Sequence, residues 1–132
     1  MIRPIPIEIP ALPPNNDTYS QAVQLGDLLF VSGQLGVDPS TKNLAAGGMK
    51  AETQQAIDNI ATILKAAGSG LDLVAKVTIF ITDFSLLGEM NEVYAKRFPN
   101  RPAKTTVQIG RLDKDALIEI DVIAGRDPSA LC

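Results

Sequence analysis

The sequence predicts an α+β domain in the order ββαβαββ, with two helices covering one face of a single sheet. Three observations carry this expectation. The extended stretches alternate apolar and polar residues with period two. The segment 49–67 instead repeats apolar residues at helical spacing and runs into Gly68. Each helical segment also joins two extended ones, and a right-handed strand-helix-strand return would put both helices on the same side of the sheet.

Residues 1–17 form an arm rich in proline; Pro4, Pro6, Pro10, Pro13 and Pro14 remove backbone donors and forbid a helix. The arm is expected to be extended or irregular, lying along a sheet edge or a partner. From Tyr19, YSQAVQL and LLFVSGQ flank Gly26-Asp27 and read as a hairpin on a two-residue turn. That turn sets Val23 opposite Phe30 and Gln21 opposite Ser32. Gly36 to Gly48 reads as an exposed loop, with Asp38-Pro39 and Gly47-Gly48 as turn signals.

In the first helix Ala56, Ile57, Ile60, Ile63, Leu64 and Ala67 make the apolar stripe. LDLVAKVTIFITD follows as a strand, expected to carry Leu73, Ala75, Val77, Ile79 and Ile81 on one face. Asp83 or Ser85 is placed to cap a second helix through about Arg97, with Leu87, Met90, Val93, Tyr94 and Phe98 at apolar spacing and Pro99 and Pro102 beyond it.

The last structured stretch, PAKTTVQIGRLDKDALIEIDVIA, reads as a closing hairpin around a turn near Asp113 and Lys114. Lys104, Thr106 and Gln108 share one face of its first strand. Glu119 and Asp121 of the second strand are expected on that same side. Residues 125–132 are expected to be a frayed tail. The sheet face away from the helices would then display Gln21, Ser32, Thr78, Phe80, Gln108 and Glu119, and copies of the chain packing on it would leave clefts holding the polar groups.

Composition narrows the chemistry. With 132 residues, 45% hydrophobic and 20% charged, the chain 1–132 reads as one globular domain with an aliphatic core. A net charge of −3 with scattered Lys and Arg gives no basic stripe, so no nucleic-acid partner is expected. No apolar run approaches the ~20 residues of a membrane span, and the N-terminus lacks the apolar core of a signal peptide. The single cysteine, Cys132, rules out an internal disulfide and fits a reducing compartment, so the protein is expected in the cytoplasm. The absence of histidine excludes a Ser-His-Asp triad, a Cys-His dyad and a typical zinc site.

The segments YSQAV, LLFVSGQLGVDP, ETQQAIDNIATILKAAGSGLDLVAKVTIFITDF, MNEVYAKRF and PAKTTVQIGRLDKDALIEIDVIA resemble, in uninterrupted order, the RidA family, also called YjgF or L-PSP. The resemblance implies a chorismate-mutase-like fold, a homotrimer, and sites in the clefts between subunits. It further implies hydrolysis of reactive enamines and imines, such as 2-aminoacrylate and 2-iminobutyrate, to 2-keto acids and ammonia, with no metal or organic cofactor. The alternatives it leaves are a trimer that binds a small carboxylate metabolite without turnover, and the endoribonuclease or translation-inhibitor activity of some relatives.

The family signature normally reads PAR followed by Ser or Thr, its Arg holding the substrate carboxylate; here Lys104 stands in that place. An ammonium keeps the charge and loses the planar fork that grips a carboxylate bidentately. By the same resemblance Tyr19 lines the cleft, Ser32 and Gly33 lie beside the ligand, Glu119 is the acid near the attacking water, and Asn91 is a frequent second-helix residue. Thr106, on the strand face of Lys104, joins the substrate-binding set. Each has a plainer reading: Tyr19 as a packed aromatic, Ser32 as a strand serine bonded to backbone, Glu119 as a solvated or ion-paired strand residue.

Overall fold

Gly26, at φ +61, makes the tight turn that returns Ala22–Leu25 (β2) onto Leu28–Leu35 (β3), and Val23 pairs with Phe30 as the turn length requires. The computed structural model describes residues 1–10, 12, 18–127 and 129. Its further elements are Ile5–Ile7 (β1), Met49–Ala66 (α1), Val74–Ile81 (β4), Leu87–Arg97 (α2), Ala103–Gln108 (β5) and Ile118–Gly125 (β6). The arm thus supplies an extra edge strand, β1 against β2, and buries Ile9 and Leu12 in the core.

The six strands form one mixed sheet in the order β1-β2-β3-β6-β4-β5. α1 and α2 pack against each other on one face, over a core that includes Ile57, Ile60, Ile63, Leu64, Ile79, Met90, Ile118 and Ile120. Both helices follow their expected spans; Asp83 accepts a hydrogen bond from the Ser85 N–H at 2.8 Å, capping a short 3-10 turn that leads into α2. No helix among the described residues is long and apolar enough to cross a membrane.

The closing hairpin does not form. β5 runs parallel to β4, with Lys104 level with Val77 and Thr106 level with Ile79, and β6 pairs antiparallel with both β3 and β4. The two alternating segments therefore flank β4 rather than each other. Alternation alone does not say which neighbour a strand takes, and the βαβ unit β4-α2-β5 satisfies the same pattern.

Two irregularities shift the expected faces. Between Val74 and Lys76 the register slips, so Val74 is buried while Leu73 and Ala75 are exposed. In β3, Val31 pairs with Val122 and Gln34 with Ile120, leaving Ser32 and Gly33 opposite Asp121 alone in a bulge. Gln21 and Gln108 also leave the displayed face. Gln21 is buried, its Oε1 accepting from the Ile9 N–H, and Gln108 Oε1 accepts from the Phe84 N–H at 2.8 Å.

Within the 36–48 loop Val37 is buried rather than exposed, its carbonyl accepting from Asn59 Nδ2 at 2.9 Å. Residues 125–127, expected to be frayed, are held in place. The N–H groups of Arg126 and Asp127 bond the carbonyls of Asp27 and Gly68, while residue 128 and residues 130–132, including Cys132, lie outside the described residues.

Candidate functional site

Glu119 lies on the strand of β6 flanked by Leu35 and Phe80, and its half-buried side chain turns away from the helices. The bulge in β3 brings the backbone of Gly33 under it: a Cβ at that glycine would come within 2.0 Å of Glu119 Oε1. A glycine is what this approach needs. Burial pushes the Glu119 carboxyl above its usual range, and the charges of Asp121 and Asp113 push it the same way. Glu119 has no hydrogen-bond or ion-pair partner among the described residues.

Gly33 is also a wall of a cavity of about 360 Å³, shared with Tyr19, Lys42, Asn59, Asp113 and Lys114. Tyr19 is 53% exposed in the single chain, so it is not a packed aromatic there. Ser32 Oγ donates to the Ser20 carbonyl at 2.6 Å, which is the backbone-bonded state of a strand serine. Its lone pairs remain available. Tyr19 and Gly33 thus line one cavity and Gly33 meets Glu119, while Ser32, beside Gly33 in the bulge, turns its hydroxyl to the Ser20 carbonyl.

The other expected residues gather elsewhere. Lys104 and Thr106 stand level with the buried Val77 and Ile79 and so share the helix face of the sheet. The Lys104 ammonium sits 4.6 Å from the centroid of the Tyr94 ring, which stacks on Phe98 with centroids 4.8 Å apart. Asn91 Oδ1 lies 3.5 Å from Lys104 Nζ, a weak contact. The hydroxyls of Thr106 and Tyr94 are both buried without a hydrogen-bond partner among the described residues.

Lys104 and Glu119 thus lie on opposite faces of the sheet, against the expectation that they share a side. The cause is the missing hairpin. With β4 between β5 and β6, Lys104 follows the parity of Val77 and Glu119 that of Phe80. Within one chain these two groups cannot reach one small ligand.

Sequence reasoning missed Lys42, Asp113 and Lys114 as cavity residues and Tyr94 as the seat of Lys104. Lys42 and Lys114 adopt left-handed backbone, φ 64 and φ 60, which only a turn assignment could have hinted at. Asn91 and Tyr94, three apart on a predicted helix, were the legible signal for the second group.

Comparison with known proteins adds the following. The sequence matches the Endoribonuclease L-PSP family over residues 10–125. It is 46% identical over 109 residues to a RutC family protein of Sulfurisphaera tokodaii, covering 82% of this chain and 87% of that one. It is 42% identical over 111 residues to the 2-iminobutanoate/2-iminopropanoate deaminase of Rattus norvegicus, covering 83% and 81% of the two chains. Among solved structures, E. coli TdcF with bound serine superposes with a TM-score of 0.87 at 35% identity, covering 93% of this chain and 99% of that one. The chorismate-mutase-like fold expected from the sequence is the fold of these neighbours.

Proposed function

The chain belongs to the Endoribonuclease L-PSP family, known also as RidA or YjgF, and from that premise we propose that it hydrolyses reactive 2-imino and enamine acids to 2-keto acids and ammonia. The observation that carries this reading is the partly desolvated Glu119 carboxyl, without a partner among the described residues, over Gly33, which itself lines the Tyr19 cavity. A carboxyl raised by burial suits proton transfer nearer neutral pH than an ordinary one. Water adds to the imine carbon while Glu119 takes its proton and the C=N electrons go to nitrogen. The proton passes to nitrogen to give a carbinolamine; Glu119 then moves the hydroxyl proton to the amine, the C–N bond breaks, and ammonia leaves as the C=O bond forms.

The carboxylate of the substrate needs a cation, and Lys104 can supply it only from another copy of the chain. What supports assembly is the open sheet face, where Leu28, Phe30 and Val107 are 44%, 38% and 37% exposed, and the outer edge of β5, which carries Lys104 and pairs with no strand among the described residues. Three copies closing on these faces would set the β5 edge of one beside the Glu119 cavity of the next. The rat relative is named for this deamination, and TdcF holds a serine.

Ammonia release from freshly generated 2-iminobutyrate, measured alongside the mass of the assembly in solution, tests the reading. Release faster than buffer from a trimer is expected; a trimer no faster than buffer would refute catalysis, and an active monomer would refute the shared cleft. A second reading, carboxylate binding without turnover, is favoured by Lys104 itself, because an ammonium seated on an aromatic ring orients a carboxylate less firmly than a guanidinium fork. Calorimetric binding of 2-oxobutyrate without ammonia formation from the imine would select it.

A further inference from the structure

The cavity that Gly33 shares with Tyr19 also has charged residues in its lining. At about 360 Å³ it falls within the range of small-molecule sites, ~300–1,000 Å³. Lys42, from the loop after β3, and Lys114, from the turn before β6, both line it. Neither has an ion-pair or hydrogen-bond partner for its ammonium among the described residues, although the other cavity charge, Asp113, is close by in sequence. The charged residues in the cavity lining are two lysines and one aspartate.

The wall is continuous with the candidate chemistry. Gly33 belongs to the cavity and carries the Glu119 carboxyl above it, and Asp113 is near enough for its charge to act on Glu119. A ligand that reacts at Glu119 and extends past Gly33 into this cavity meets Lys42 and Lys114 in its lining. For an apolar side chain those groups offer nothing. For a side chain ending in an acid they offer charge-assisted hydrogen bonds.

We infer that this chain's preferred substrates are dicarboxylic 2-imino acids, with the side-chain carboxylate held by Lys42 and Lys114. The inference rests on the deaminase reading of the same site and adds a selectivity to it. Its chemical consequence is that a reaction oxidising an acidic amino acid at its Cα–N bond supplies the substrate, and a dicarboxylic 2-keto acid leaves.

The test compares binding of 2-oxoglutarate and 2-oxobutyrate by calorimetry, and ammonia release from the imines made by oxidising glutamate and 2-aminobutyrate. The wild-type chain is expected to bind 2-oxoglutarate about tenfold more tightly, the worth of one charge-assisted contact. Lys42→Asn with Lys114→Asn removes both charges while asparagine tolerates the left-handed backbone at each site. That double variant should lose the preference for 2-oxoglutarate over 2-oxobutyrate, whereas Lys42→Arg with Lys114→Arg should keep it. Equal or tighter wild-type binding of 2-oxobutyrate, or a preference that survives the Asn pair, would overturn the inference while leaving the deaminase reading intact. Failure to release ammonia from either imine would instead sink the deaminase reading and this selectivity with it.

Discussion

The two faces of the sheet hold the two halves of the candidate chemistry, and they are built in opposite ways. On the open face, Glu119 is placed by backbone: a bulge in β3, a glycine without a Cβ, and burial that raises the carboxyl. On the helix face, Lys104 is an exposed side chain on an edge strand, held by the Tyr94 ring and a weak contact to Asn91. The acid half is preorganised within one chain. The cation half has only its platform, and its unpartnered Thr106 and Tyr94 hydroxyls mark polar capacity that the single chain does not use.

Changes to the acid half should do the most damage. Glu119→Gln is expected to lower kcat for imine hydrolysis by about 10²–10⁴ through loss of proton transfer, with the fold retained. Gly33→Ala should displace the carboxyl without removing it, for a loss of about 10²-fold, because a methyl there collides only with the end of that side chain. The pH response gives an independent check. Since the folded Glu119 pKa is raised from 4.5, the native state holds its proton longer than the unfolded chain does. That contribution to stability is full below the unfolded pKa and is lost as pH rises through the folded one. Glu119→Gln should therefore flatten the fall in Tm across the window that opens at about pH 4.5. An unchanged Tm profile would show that the acid half is not strained by desolvation.

How much of this was legible follows from the same contrast. Helical spacing over 49–67 located α1, and Gly26-Asp27 set the β2-β3 register, because both are local signals. Parity within a strand was also readable: Lys104 and Thr106 share a face, as do Glu119 and Asp121. Which face each strand presents was not readable, since that depends on β4 lying between β5 and β6. Nor were the bulges at Ala75 and at Ser32-Gly33, each of which changes parity by one residue with no compositional mark. The identity of the site residues came through resemblance, whereas their division between two faces came only from the topology.

Changes to the cation half should act on binding more than on chemistry. Lys104→Met is expected to raise KM by about 10-fold or more with a smaller change in kcat, because it removes attraction common to ground and transition states. Tyr94→Leu removes a cation–π contact worth about 0.5–1 kcal/mol at an exposed site, so KM should rise roughly two- to fivefold. Lys104→Arg separates the two functional readings. A higher rate means that the ammonium is a handicap; a lower one means that the Tyr94 seat is fitted to lysine. If Tyr94→Leu lowered kcat as strongly as Gly33→Ala, the division into a placed acid and a merely seated cation would fail.

The smallest effects concern two hydroxyls, and their signs should be opposite. Ser32 Oγ already donates to the Ser20 carbonyl, so Ser32→Ala removes a made bond and should destabilise by about 1 kcal/mol. Thr106 Oγ1 is buried with no partner among the described residues, so Thr106→Val removes a desolvated group and should stabilise the isolated chain by up to about 1 kcal/mol. Thermal melts at one pH and low protein concentration would read both. The Thr106 sign depends on assembly: if a second copy or its ligand satisfies that hydroxyl, Thr106→Val becomes neutral or destabilising at concentrations where the copies associate. A reversal of sign with concentration would place the missing partner of the helix-face cluster on the neighbouring chain. Stabilisation at every concentration would leave the hydroxyl outside any shared cleft.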